Sequence, residues 1–156
     1  MALVMFYQLT ASTAAETLAL LLPRALQQGW RVMVRGTDPV ALDRLDEKLW
    51  LGPEDGFLPH GREGGPQDAD QPVLIGQGPA VNRADALALI DGAEATEAEI
   101  SQMQRVWLLF EKADENRLAD ARARWKALSA AGVAAQYWSD EDGRWVKKAE
   151  NQPVKP

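Results

Sequence analysis

What most narrows the fold of this chain is the order in which two hydrophobic periods alternate along it. Leu3 to Leu9 is a short apolar run of strand formers, followed by Thr10, Ser12 and Thr13, each able to cap a helix. A helical period then runs from Ala14 to Gln28, with Leu18, Leu21, Leu22, Ala25 and Leu26 on one face, Gly29 as its stop and Pro23 as a kink. Arg31 to Arg35 reads as a second strand. Asp38 before Pro39 pairs an N-cap with proline at the first helical position and opens a helix through Leu42, Leu45, Leu49 and Trp50.

From Gly52 to Gln71 eight glycines and prolines break either period, and the segment reads as a long surface loop of the kind that is usually functional or disordered. Pro72 to Ile75 and Ala86 to Ile90 read as short strands, and Glu97 to Met103 as a helical turn. Arg105 to Phe110 is the clearest strand, Asp114 to Ala130 a helix closed by Gly132, and Val133 to Trp138 a last strand. The alternation predicts an α/β domain: a three-layer, open, mostly parallel sheet with helices on both faces. One domain is expected over residues 1–148, with 149–156 fraying as a tail.

Composition limits what such a domain can do. The chain has 156 residues, no cysteine and one histidine, His60, so thiolate metal sites and cysteine nucleophiles are excluded and imidazole-based relays are nearly so. No metal site is expected. Lys plus Arg number 17 against 23 Asp plus Glu, for a net charge of −6, which disfavours a protein that coats nucleic acid. The charge is uneven: residues 1–50 balance at 5 and 5, 51–104 carry 2 basic against 10 acidic, and 105–156 carry 10 basic against 8 acidic. The first residues are apolar but lack a basic segment and are too short to span a membrane, so a soluble cytoplasmic protein is expected.

Three constellations carry chemistry. Gly76-Gln77-Gly78 after a strand begins a dinucleotide fingerprint, but Pro79 interrupts the turn and Val81 stands at the third glycine position; with His60 it makes the alternative reading, a small nucleotide-dependent enzyme. On the helix from Asp114, Arg117 and Arg124 each have Asp120 within reach, whereas Arg122 and Lys126 have no acid three or four residues away. An Arg/Lys pair beside Trp125 suits an anionic peptide end with an aromatic residue, although Trp125 with Leu118, Ala121 and Leu128 equally fits a core stripe. Trp50, Phe57 and Pro59 form either a local core or an aromatic docking surface.

Several phrases together resemble one family, the chi subunit of bacterial DNA polymerase III. They are Phe6-Tyr7 with Leu9, the run Arg44 to Trp50 (RLDEKLW), Phe57 to His60 (FLPH), Pro72 to Ile75, and Ala121 to Lys126 (ARARWK) with Gly132 after it, spread over roughly residues 3–138. The resemblance implies a non-catalytic replication accessory subunit with a Rossmann-like fold, no working nucleotide site and no cofactor. It implies two partners: the clamp loader, through the psi subunit, and the acidic carboxy-terminal tail of single-stranded-DNA-binding protein, which ends in phenylalanine. Carried over by position, Arg122, Trp125 and Lys126 are expected to hold the tail; Phe110 is expected to add an apolar wall, and Leu118, which stands where a basic residue can occur in relatives, is expected at the same site. Trp50, Phe57 and Pro59 are expected to face the polymerase side, a surface that a helicase also uses in the family.

Overall fold

In the computed structural model, which describes residues 2–51 and 58–151, the alternating periods sort into eight strands and four helices. In chain order they are β1 (Leu3–Leu9), α1 (Ala14–Gln27), β2 (Val32–Arg35), α2 (Pro39–Trp50), β3 (Gly61–Arg62), β4 (Val73–Gly76), β5 (Ala86–Leu89), α3 (Glu97–Ser101), β6 (Arg105–Glu111), α4 (Glu115–Ala130), β7 (Ala134–Ser139) and β8 (Val146–Glu150), with a 3-10 turn at Asp68–Asp70. They form one sheet in the order β3-β4-β2-β5-β6-β1-β7-β8. Every pairing is parallel except β7 with β8.

Local chemistry explains the boundaries. Thr13 closes a capping box with Glu16 at the start of α1, and Asp38 accepts from the Val40 amide ahead of Pro39 in α2. Gly29 and Gly132 take positive φ, 81° and 79°, just past α1 and α4, where a side chain would be strained. Pro23 stands inside α1, which continues through it to Gln27.

Strand alternation divides the core between the two faces. On one face Tyr7, Leu9, Val32, Val34, Val73, Ile75 and Trp107 pack under α1 and α2; on the other Val4, Phe6, Met33, Leu74, Leu87, Leu108 and Phe110 pack under α3 and α4. The chain leaves β1 through α1 for β2 on one side, and leaves β6 through α4 for β7 on the other. Between β1 and β6, at their carboxyl ends, the connections therefore diverge, and a cavity of about 630 Å³ opens there beside Leu9, Thr10–Thr13, Glu111–Ala113, Glu115 and Leu118.

Two expectations need correction. The segment read as loop from Gly52 to Gln71 contains β3, which pairs with β4 through Gly61–Leu74 and Arg62–Ile75, and the turn at 68–70. Its partner strand, not its own composition, makes Gly61-Arg62 a strand. The chain also does not leave the fold after Lys148: β8 continues to Glu150, and the Asn151 amide group donates to the Ser129 hydroxyl and the Val133 carbonyl while its oxygen accepts from the Ala135 amide.

Candidate functional site

α4 crosses β1 between β6 and β7, with Asp114 accepting from the Arg117 amide as its N-cap. Ala121 and Leu128 are its buried positions, and Trp125 lies half-buried between them and solvent. The Trp125 indole stands edge-on to Phe6 at 5.4 Å and to Tyr137 at 6.0 Å between ring centroids. Phe6 and Tyr137 stack at 6.2 Å, and Phe110 meets Tyr137 edge-on at 6.0 Å. The two readings of Trp125 thus merge: one side is core, the other is surface, which is the arrangement of an anchored aromatic wall.

Around that wall the cations divide sharply. Arg122 and Lys126 are exposed, and among the described residues neither makes an ion pair or a side-chain hydrogen bond. Arg124, two residues from each, behaves differently. Its guanidinium pairs with Asp120 at 3.0 Å, as the spacing predicts, but it also turns inward and donates to the carbonyls of Gly92 at 2.8 Å and Ala93 at 2.7 Å. Arg117 forms no ion pair with Asp120; it lies against Gly92 and Asp91.

The remaining expected tail residues are Phe110, buried under the aromatic cluster, and Leu118, half-buried at the edge of the cavity between β1 and β6. Leu118, Arg122, Trp125 and Lys126 recur at helical spacing, so one face of α4 presents an apolar residue, a cation, the indole and a second cation. Spacing alone did not reveal Tyr137, whose hydroxyl donates to Gln8 Oε1 at 2.6 Å. Burial raises its pKa and the Arg122 charge pulls it back in part. Strand period was the available signal: Tyr137 points to the α4 face while its neighbours Gln136 and Trp138 do not.

A second surface forms at the end of α2. Trp50 is 54% exposed and Leu51 82%. The Trp50 ring packs on the buried His60 ring, with centroids 4.3 Å apart. His60 sets Nδ1 2.6 Å from the Leu58 carbonyl oxygen and Nε2 3.3 Å from both the backbone carbonyl and Oδ1 of Asp46. The histidine is therefore a support beneath the indole, with its ring enclosed and out of reach of a substrate. Pro59 is half-buried beside it, and Phe57 lies outside the described residues.

Both loops that could cradle a phosphate hold one of the chain's own carboxylates. Glu63 Oε1 accepts from the Gln77 amide at 2.6 Å, and Oε2 from the Gly78 amide at 3.1 Å. Gly76 admits it, because a Cβ there would overlap the Glu63 side chain. In the β1–α1 turn, Asp140 Oδ1 accepts from the amides of Thr10 at 2.7 Å and Ala11 at 3.2 Å. Burial raises the Asp140 pKa, but the loop hydrogen bonds, with Thr10 leading, hold it below the ordinary value. Among the described residues no group of three His, Cys, Asp or Glu side chains is placed to hold a metal, and no helix is long and apolar enough to cross a membrane.

In comparisons with known proteins, the profile of the family described as "DNA polymerase III chi subunit, HolC" matches residues 1–136, most of the chain from the first strand into β7. No curated protein matches the chain.

Proposed function

The chain belongs to the DNA polymerase III chi subunit family, a replication accessory family, and on that premise we propose that it is a non-catalytic adaptor that holds the acidic carboxy-terminal tail of single-stranded-DNA-binding protein on α4. The observation that carries this reading is the pair Arg122 and Lys126, exposed and, among the described residues, unpaired, on the same face of α4 as the half-buried Trp125. Two like charges four residues apart disfavour the helix by a few tenths of a kcal/mol unless an anion arrives. A peptide that ends in an apolar residue and a free carboxylate supplies that anion. Arg122 and Lys126 take its carboxylates, while Trp125, with Leu118 beside it and Phe110 and Tyr137 beneath, desolvates its apolar side chain.

The polymerase side of the adaptor is the Trp50, Leu51 and Pro59 surface, with Phe57 of the same phrase. It takes the psi subunit or another clamp-loader subunit, and a helicase competes for it. The two surfaces sit on different helices, so one chain can hold both partners at once and tie the clamp loader to the single-stranded template, in the cytoplasm. The two filled amide loops favour this reading over a nucleotide-dependent enzyme, since Glu63 and Asp140 stand where phosphate oxygens would bind.

Titrating the isolated protein with an acidic peptide that ends in phenylalanine tests the site. A charge-assisted hydrogen bond is worth roughly 1.5–3 kcal/mol, so Arg122→Ala should weaken binding by about tenfold to a hundredfold. Added salt should weaken the wild-type complex while leaving an apolar remainder. Equal affinity in Arg122→Ala and the wild type refutes the assignment.

A further inference from the structure

β5 and β6 are neighbours in the sheet, and the connection between them, residues 90–104, carries only the five-residue α3. At 1.5 Å per residue, α3 is about 7.5 Å long and cannot roof the strands beneath it. A cavity of about 250 Å³ therefore opens between α3 and α4, with Val4, Leu89, Val106 and Leu108 as its floor and Ile100 and Leu128 as its walls. A smaller cavity of about 160 Å³ shares Glu97 and Ile100 with it and continues the groove past Ala2 and Val133. Sites for drug-sized ligands run to about 300–1,000 Å³, so the main cavity suits one or two peptide side chains.

The rim is acidic. Glu94 is 86% exposed on its side chain and its nearest cation, Arg124, is 3.9 Å away, while Glu97 is exposed and makes no ion pair among the described residues. Among the described residues Arg124 is the only cation lining the main cavity, and it is already committed to Asp120 and to the Gly92 and Ala93 carbonyls. The stretch Asp91 to Glu99 contains four acids and no base, part of the negative charge concentrated in residues 51–104. Of these four, Glu99 alone is tightly neutralised, by Arg35 at 2.7 Å.

We propose that the groove between α3 and α4 docks a segment of a partner protein in which a large apolar side chain is flanked by lysine or arginine. The apolar residue fills the cavity over Val4 and Leu108, and the flanking cations meet Glu94 and Glu97. Charge complementarity selects this occupant: an acidic peptide or a nucleic acid would set like charges against the rim. The two flanks of α4 then read opposite partners. Leu118, Arg122, Trp125 and Lys126 face one way, and Arg124, Ala127 and Leu128 line the groove on the other. The groove therefore stands apart from the tail site and can be tested without it.

The test pans a random dodecapeptide display library against the full-chain protein, then measures the enriched peptides, made synthetically, on the wild type, on Glu97→Lys and on Glu97→Lys with Ala127→Trp. Both changed positions are exposed, and melting temperature checks that each variant folds. The expected result is an enriched class with an apolar residue between Lys or Arg, bound about tenfold or more weakly by Glu97→Lys and more weakly still by the filled groove. Failure to enrich a basic-apolar class, or equal binding of that class by wild type and both variants, overturns the proposal.

Discussion

Arg122 and Arg124 lie two residues apart on α4 and should respond to alanine in opposite ways. Arg124 is 17% exposed on its side chain and binds the carbonyls of Gly92 and Ala93, which tie the β5–α3 turn to α4. Hydrogen bonds from a charged donor contribute roughly 1.5–3 kcal/mol each, and neighbouring ones do not add fully. The Asp120 pair, 40% exposed on the acid side, adds at most about 1 kcal/mol. Arg124→Ala should therefore cost about 2–4 kcal/mol. Arg122 makes no such contacts, so Arg122→Ala should stay within about 0.5 kcal/mol of wild type. Urea unfolding followed by tryptophan fluorescence reads both, with the slope unchanged if unfolding stays two-state. For a domain of this size each kcal/mol moves the melting temperature by about 2–4 °C, so the Arg124 variant should melt roughly 5–15 °C lower. Peptide titration should invert the ranking, with tail binding weakened about tenfold to a hundredfold in Arg122→Ala and retained by the folded fraction of Arg124→Ala. Equal stabilities for the two variants would refute the division of labour on this helix.

Three other outcomes follow from the same contacts. Asp140 has a lowered pKa in the fold, so its contribution is present above the unfolded value of 3.8 and disappears as pH falls through the folded one; Asp140→Ala should lose about 1–3 kcal/mol at pH 7 and show a flatter acid limb in a stability-against-pH series. Gly76→Ala should displace Glu63 from the Gln77 and Gly78 amides and destabilise by about 1–3 kcal/mol, and the double variant with Glu63→Ala should lose less than the sum of the two in denaturant unfolding. Trp50→Ala should abolish co-elution with clamp-loader subunits from the cell's own extract while leaving tail-peptide affinity unchanged.

The parts of the fold legible in the sequence are those whose cause is local. Asp38-Pro39, the Thr13 cap and the glycines at 29 and 132 mark helix ends by their own chemistry, and the apolar runs at β1 and β6 mark buried strands. β3 and β8 were not legible, because a two-residue Gly-Arg strand and the polar VKKAE edge take their conformation from β4 and β7. At the α4 site, missing local acids marked Arg122 and Lys126 as cations without a partner on the helix, and among the described residues neither makes an ion pair, whereas Arg117, which the same spacing set beside Asp120, forms no ion pair with it. The same bookkeeping saw only half of Arg124, whose carbonyl partners lie 31 and 32 residues away in sequence. Asp140 over the Thr10 amide spans 130 residues, a separation at which neither period nor spacing carries a signal.

The most direct measurement compares an acidic peptide ending in phenylalanine with its carboxy-amidated form, titrated against the wild type and against the double variant Arg122→Ala, Lys126→Ala. If these two cations hold the terminal carboxylate, amidation should weaken wild-type binding by about tenfold or more and leave the variant's residual affinity almost unchanged. The same fold-loss on amidation in both proteins would place the carboxylate elsewhere and contradict the α4 site.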